Sequence, residues 1–333
     1  MPRPVAPITP CRIAAPTTAP QFNSMLGRVQ GWQAGDGGHT AIMDNGRRAW
    51  AFGDSLLADN QLHHNALVIQ DKGCAKSVQM ASEFIPNSQC GDDPTTAAGE
   101  GYCWGGPIAY SNGKLFMLAP QVRSVPGCVG AFCFQGVGVI LFTWNVPPRG
   151  LPVLASAVPI PAAAGIFWDS ALSISADGTA MYVYGYRDDG DPWTFGYDTY
   201  LAVTSPTVSP ATNWAYRTAG DWSPDVMDAR PIVGAISGPE TSVSIHTSGG
   251  SVVMTSTADG GLGHVVTEWT SPNPWGPWTT RAVADYPDTA DHMWYLPLHV
   301  AGTSGLRVIS QNWPHRPLSD IPAHPADFRV LVF

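Results

Sequence analysis

Five times along the chain, two runs of alternating apolar and polar residues flank a tight-turn glycine. The segments are "HTAIMDNGRRAWAFG" (Gly46), "PIAYSNGKLFMLA" (Gly113), "SALSISADGTAMYVYG" (Gly178), "TSVSIHTSGGSVVMTS" (Gly250) and "LPLHVAGTSGLRVIS" (Gly305). Alternation with a period of two marks a half-buried strand, and Asn-Gly or Asp-Gly between two such runs is a strong hairpin signal. The glycines stand 67, 65, 72 and 55 residues apart, with no convincing 3.6-residue period between them. Five hairpins at near-regular spacing predict an all-β fold, a five-bladed β-propeller; a β-sandwich gives no reason for such spacing. The final run, "FRVLVF", also alternates, and is expected to close the ring by joining the N-terminal blade.

Composition sharpens this picture. Only 13% of the 333 residues are charged, against a usual share of about 25%, while Gly (35) and Pro (31) are plentiful, which suits strands and turns rather than helices. A net charge of −9 with 17 Lys plus Arg argues against nucleic acid or an anionic membrane as partner, since no basic run exists to displace counterions. An electroneutral ligand such as a glycan fits better. No apolar run reaches the roughly 18 residues of a membrane helix. The opening "MPRPVAPITPCRIAAPTTAP" lacks the continuous apolar centre of a signal peptide, so residues 1–25 read as a Pro-rich lead-in and 26–333 as a single propeller domain. Six cysteines all lie within the first 133 residues and match no zinc spacing, which favours disulfides. Cys74 with Cys90 and Cys128 with Cys133 are the first local pairings to expect, although six cysteines allow fifteen connectivities.

Candidate chemistry starts in "WAFGDSLL", residues 50–57. Gly53-Asp54-Ser55-Leu56 is the tetrapeptide of the GDSL esterases, in which the serine is a nucleophile. The rest of that motif set is missing: there is no Gly-x-Asn-Asp, and "DTADHMW" and "SDIPAHP" space Asp and His by one and four residues rather than three. The strand carrying Gly53 is also the second arm of a hairpin, whereas a doubly wound sheet needs its first strand to lead into a crossover.

The same hairpin makes Asp54 the more interesting residue. With Asn45-Gly46 as a two-residue turn, opposed residues sum to 91, so Gly37 faces Asp54 and Asp36 comes within one position of it. Cross-strand neighbours have Cβ atoms roughly 4.5–5.5 Å apart. Two carboxyls held that close cannot both ionise freely, and one pKa rises while the other stays low. Glycoside hydrolysis needs that division, with one group protonating the leaving oxygen and the other acting as nucleophile or base. Asp36 and Asp54 are therefore the candidate catalytic residues, at the mouth of the propeller funnel; the alternative is that Asp36 caps a Gly-rich turn.

Aligning the blades on their turn glycines places Cys103, Trp168, Glu240 and Tyr295 in the slot of Asp36, with Trp104 and Asp169 one residue on. The slot of Asp54 falls at Gln121, Tyr186, Ala258 and Trp313. Aromatic faces with a few acids suit a carbohydrate groove, because indole stacks on the apolar face of a sugar while its hydroxyls need acceptors. Asp169, His39, Trp104, Trp168, Tyr186, Glu240 and Trp313 are accordingly the candidate substrate-binding residues, although Trp104 and Trp168 suit inter-blade core equally well. His39, His292 and His299 could ligate an axial ion, but a lone strand histidine is more often structural, so no metal or other cofactor is expected.

Four stretches, "GDGGHTAIMDNGRRAWAFGDSLL", "CWGGPIAYSNGKLFMLA", "FWDSALSISADGTAMYVYGY" and "SPNPWGPWT", resemble the mainly actinobacterial family catalogued as domain of unknown function 4185. The resemblance runs from about Gly31 to the end and is sharpest in the first blade, where the family's paired aspartates match Asp36 and Asp54. It implies a five-bladed propeller acting as an endo-D-arabinanase. Such an enzyme cuts the α-D-arabinofuranosyl backbone of mycobacterial arabinogalactan and lipoarabinomannan, so the implied partner is that polysaccharide and the implied setting extracytoplasmic. The lack of a visible signal peptide departs from an ordinary exported member and fits a phage-encoded or otherwise exported enzyme. A monomer is expected, and a non-catalytic glycan-binding propeller is the competing class.

Overall fold

All five turn glycines adopt a left-handed backbone, with φ of +75° at Gly46, +76° at Gly113, +71° at Gly178, +80° at Gly250 and +98° at Gly305. In this region glycine has no Cβ penalty, which is why these residues punctuate the chain so regularly. The structure is a computed structural model that describes residues 11–91, 101–126, 134–160, 164–188, 190, 196–207, 213–261, 264–286, 292–312 and 318–333. Around the five hairpins lie five antiparallel sheets, here blades 1 (residues 32–77), 2 (102–160), 3 (167–223), 4 (244–285) and 5 (293–332).

The innermost strands are Trp32–Ile42, Ile108–Ser111, Phe167–Ile174, Ser244–Ser248 and Met293–His299. Each touches the next, and the fifth touches the first, so the ring is closed and the fold is a five-bladed β-propeller. Between blades the sheets bury large side chains, among them Trp50, Trp168 and Trp269. Truncating a side chain of that size to alanine costs about 3–5 kcal/mol, so inter-blade packing dominates the stability.

Closure differs from the expectation for "FRVLVF". Arg329–Val332 pairs with Arg307–Asn312 and is the outer strand of blade 5 itself. The N-terminal segment offers it no strand edge, because Ala19–Leu26 is a helix. Asn23 on that helix bridges the gap instead: its Nδ2 donates to Val332 O at 2.9 Å, and Val332 N donates to its Oδ1 at 2.7 Å. Phe22, Met25 and Leu26 pack with Trp50, Phe52, Val330 and Val332, so the last part of the lead-in is built into the blade 1–blade 5 seam.

The disulfides also correct an expectation. Cys74 bonds Cys11 and not Cys90, while Cys90 bonds Cys103. Residues 11–13 run back alongside blade 1, where Gly73 N donates to Ile13 O at 3.1 Å and brings Cys11 to Cys74. Cys90 is drawn to blade 2, its carbonyl accepting from Gln121 Nε2 at 3.0 Å, beside the Cys103–Gln121 strand pair. Cys128 and Cys133 lie outside the described residues.

Candidate active site

The first hairpin turns through three residues, Asp44-Asn45-Gly46, not two: Met43 N donates to Arg47 O and Gly46 N to Met43 O, both at 2.9 Å. Opposed residues therefore sum to 90 over most of its length, as in Thr40 with Trp50 and Ile42 with Arg48. The one-residue correction sets Asp36 closer to Asp54 than the two-residue turn did. Near the mouth the ladder is irregular, with Gly35 opposite Ser55 but Gly37 opposite Phe52, so Asp36 faces both Gly53 and Asp54. Such bulges bend a strand and re-aim its side chains. Blades 2, 3 and 5 carry irregularities near the same end, at Gln121/Val122, Phe167/Ala171 and Tyr295/Leu298.

Asp36 leans across the bulge so that a Cβ on residue 53 would sit 2.5 Å from its Oδ1, which is why that position holds glycine. Its Oδ2 accepts from the Tyr295 hydroxyl of blade 5 at 2.9 Å. Burial, and then the neighbouring Asp54 charge, push the Asp36 carboxyl up to about 8, although hydrogen bonds from Tyr295 and nearby backbone pull the other way. Asp54, with 17% of its side chain exposed, reaches toward blade 2. Its Oδ1 accepts from Trp104 Nε1 at 2.9 Å and lies 3.1 Å from His64 Nδ1. The His64 ring stacks on Tyr102 with centroids 3.8 Å apart, Tyr102 meets Trp104 edge-on, and Trp104 meets Phe134 edge-on at 4.6 Å. An aromatic wall thus flanks Asp54.

In blades 2 to 4 the observed pairs fall within one residue of the aligned slots. Cys103 opposes Gln121, Phe167 opposes Tyr186 beside Asp169, and Pro239 bridges Ala258 beside Glu240. Asp169 is half-buried, one of its oxygens has no hydrogen-bond partner among the described residues, and burial lifts its carboxyl to about 7. Glu240 is buried and likewise lifted to about 7 by burial, and its Oε2 accepts from Leu296 N at 3.1 Å. Tyr186 is half-buried and stacks on Phe167.

Two candidate binding residues lie in the interior instead, and for Trp168 the inter-blade-core alternative holds. Trp168 is buried in the core between blades 2 and 3, against Tyr216, because its side of the strand faces the neighbouring sheet. His39 is buried deeper in the ring, 3.1 Å from Ser242 Oγ, and loss of hydration holds its imidazole down at about 3. Trp313 lies outside the described residues. His64 went unnoticed, although the His63-His64 doublet just beyond Asp54 was a visible signal. His63 faces Asp59 and Glu83 at 3.0 and 3.3 Å, so of the two it is the second histidine that meets Asp54.

Ser55 is excluded as a nucleophile by its surroundings. It is fully buried, accepts from Trp32 Nε1 at 3.3 Å and donates to Gly53 O at 3.0 Å. Its hydroxyl holds the strand exit rather than facing solvent. Among the described residues no group of three or more His, Cys, Asp or Glu side chains is arranged to hold a metal ion.

Fold and site together define a five-bladed propeller in which two aspartates on paired strands, Asp36 and Asp54, come opposite each other near one end of the ring. Residues 19–312 match the family described as Domain of unknown function (DUF5005), and the chain belongs to that family. This is a different family from the one that the blade 1 motifs resemble. A comparison with curated proteins finds no match. Among solved structures, a putative hydrolase from Bacteroides ovatus shares the fold with a TM-score of 0.67 at 18% identity, over 94% of this chain and 88% of that one. The GH43_1 enzyme from Xanthomonas citri aligns with a TM-score of 0.54 at 13% identity, over 93% and 92% of the two chains. At such identities the likeness speaks to the fold.

Proposed function

We propose that the protein is a glycoside hydrolase in which Asp36 and Asp54 share the acid and the nucleophile or base duties. The observation that carries this reading is the bulged pairing that brings Asp36 opposite Gly53 and Asp54, near enough that burial and then the Asp54 charge raise the Asp36 carboxyl. The fold is compatible: the Xanthomonas citri GH43_1 enzyme, of similar fold, is also known complexed with xylotriose. The aromatic wall of Tyr102, Trp104 and Phe134 supplies stacking surfaces beside Asp54, and Tyr186 and Asp169 supply further contacts across the mouth.

For the substrate we propose the α-D-arabinofuranosyl backbone of arabinogalactan or lipoarabinomannan, cut internally, outside the cytoplasm. The support is the resemblance of the first blade to arabinan-cleaving propellers at Asp36 and Asp54. The test is product analysis after incubation with purified arabinogalactan. Release of arabino-oligosaccharides by the native chain, abolished by Asp54→Asn with the fold intact, is the expected result. Oligosaccharide binding without any new reducing ends would make the protein a glycan-binding propeller instead.

A further inference from the structure

We propose that the mouth seats a glycan chain along a track that begins beside Asp54, crosses blades 2 and 3, and ends at Ile236, an apolar platform for a sugar ring several units from the carboxyl pair. Ile236 is thereby a specificity-determining residue for chain length. The choice of a sugar as occupant rests on the glycoside hydrolase reading, whereas the track and its far end follow from the side chains.

The track is a line of half-buried rings. On blade 2 it runs from Tyr102 through Trp104 to Phe134. Two residues beyond Phe134 stands Gly136, where an added Cβ would lie 3.4 Å from the Phe167 ring of blade 3, so the rings of the two blades adjoin there. Phe167 stacks on Tyr186 with centroids 5.7 Å apart, and Tyr186 meets Tyr197 edge-on at 5.3 Å. All six are partly exposed, in contrast to the inter-blade rings such as Trp50 and Trp269, which are buried. Open ring faces of this kind stack on the apolar faces of sugars. A line that passes two whole blades serves several units of a chain rather than a single ring.

The line ends at a turn that the fold holds on both arms. Gly238 N donates to Ala235 O at 2.8 Å, which puts Ile236 and Ser237 at the apex. Ala235 N donates to Asp198 Oδ1 at 3.0 Å, and Tyr197 N donates to Pro239 O at 3.2 Å, so each arm is fastened to blade 3. Glycines make this approach possible: a Cβ at position 196 would collide with Ala235 O, and one at 238 would stand 2.6 Å from Tyr197 O. Ser237 takes a φ of +55°, a left-handed backbone that costs a residue with a side chain and that clusters at functional sites. Burial, and then the nearby charges of Asp188 and Glu240, raise the Tyr197 phenol, so Tyr197 lies between the turn and the mouth.

The tip of this fixed turn is an isoleucine with 87% of its surface exposed. Its side chain contributes little to the core, and a ligand lying along the track would remove it from water. A β-branched side chain is stiff at χ1, so covering it costs little conformational entropy.

The test is affinity and kcat/KM of the full chain on arabinogalactan and on arabino-oligosaccharides of graded length, with xylan and xylo-oligosaccharides alongside. Ile236→Ala and Ile236→Asp change an exposed turn tip, and circular dichroism checks that they fold. Met227→Asp, at a position 63% exposed and away from the track, is the control and should behave as the native chain does. Native kcat/KM is expected to rise with chain length. Ile236→Ala should lower it about tenfold on the long oligosaccharides, through KM, and by less than about twofold on the shortest one bound, with Ile236→Asp losing more. Equal losses at every length, or none in either Ile236 variant, overturn the proposal and leave the hydrolase reading standing. Binding without cleavage overturns the hydrolase reading, and the affinities of the same variants then decide the track by the same criterion. A native chain that binds neither glycan overturns both.

Discussion

Blade 1 and the segment that leads into blade 4 each carry an acid at the mouth end of the ring, and in both burial lifts the carboxyl well above its usual range, Asp36 to about 8 and Glu240 to about 7. What opposes each acid differs. Asp36 faces Gly53 and Asp54, a gap and a second carboxyl. Glu240 lies beside the Pro239–Ala258 bridge, and its Oε2 is taken by the Leu296 amide. Leu296 adopts φ of +55° directly after Tyr295, within the irregular stretch that turns the Tyr295 hydroxyl onto Asp36. Glu240 therefore holds the backbone that aims a donor, while Asp36 faces a partner with which it can divide acid and base roles.

The contrast breaks most visibly in activity. If the protein cleaves arabinogalactan as proposed, Asp36→Asn and Asp54→Asn should each lower oligosaccharide release by roughly 10²–10⁴-fold, the range for losing a general acid or base. Glu240→Gln keeps an acceptor for Leu296 N and should lose about tenfold or less, through a less well-held Tyr295. Rates measured on circular-dichroism-matched protein decide it. A Glu240→Gln loss as deep as that of Asp36→Asn would mean that Glu240 itself meets the substrate.

A smaller effect tests the bulge. Gly53→Ala places a Cβ 2.5 Å from Asp36 Oδ1, so the Asp36 carboxyl has to shift from its present position. We expect activity to fall by about tenfold and stability by about 1–3 kcal/mol, as for other overpacked sites. Glycine at position 46 differs in kind: a Cβ there meets nothing within 4 Å, and only the positive φ resists it. Chemical denaturation of Gly53→Ala and Gly46→Ala beside the activity assay separates the two causes, and equal activity losses would show that the close approach at Gly53 has no special role.

Much of this was legible beforehand. Turn glycines need a positive φ, so the hairpin period, and with it the five blades, stood in plain view at Gly46 through Gly305. The slots of Asp36, Asp169, Glu240 and Tyr295 followed from the same alignment. Side-chain facing was less accessible, because a bulge changes which way the next residue points without leaving a composition signal. That is how Trp168, one residue from Asp169, came to be placed in the groove while its ring packs in the core. His64 was missed because its contact crosses from a short connection to the strand pair, and no periodicity reports such a contact. The disulfide partners escaped for the same reason, since Cys11 reaches Cys74 across 63 residues.

The finest distinction between the two acids lies in how stability depends on pH. A carboxyl whose folded pKa is raised binds its proton more tightly when folded. Its stabilising contribution is complete below the ordinary value of 3.8 for Asp36 and is lost as pH climbs through about 8. Glu240 loses its contribution earlier, between 4.5 and about 7. Replacing either acid with its neutral amide removes the penalty of charging it. The melting temperature of Asp36→Asn should therefore match the native chain near pH 4 and exceed it by an amount on the order of 5 °C at pH 8. For Glu240→Gln the gain should be smaller and level off near pH 7. His39 and His299, both held down at about 3, oppose this trend in native and variant chains alike and cancel in the difference. Melting curves from pH 4 to 9 check this, and an Asp36→Asn difference that stays flat with pH would show that Asp36 is not the group that holds the proton.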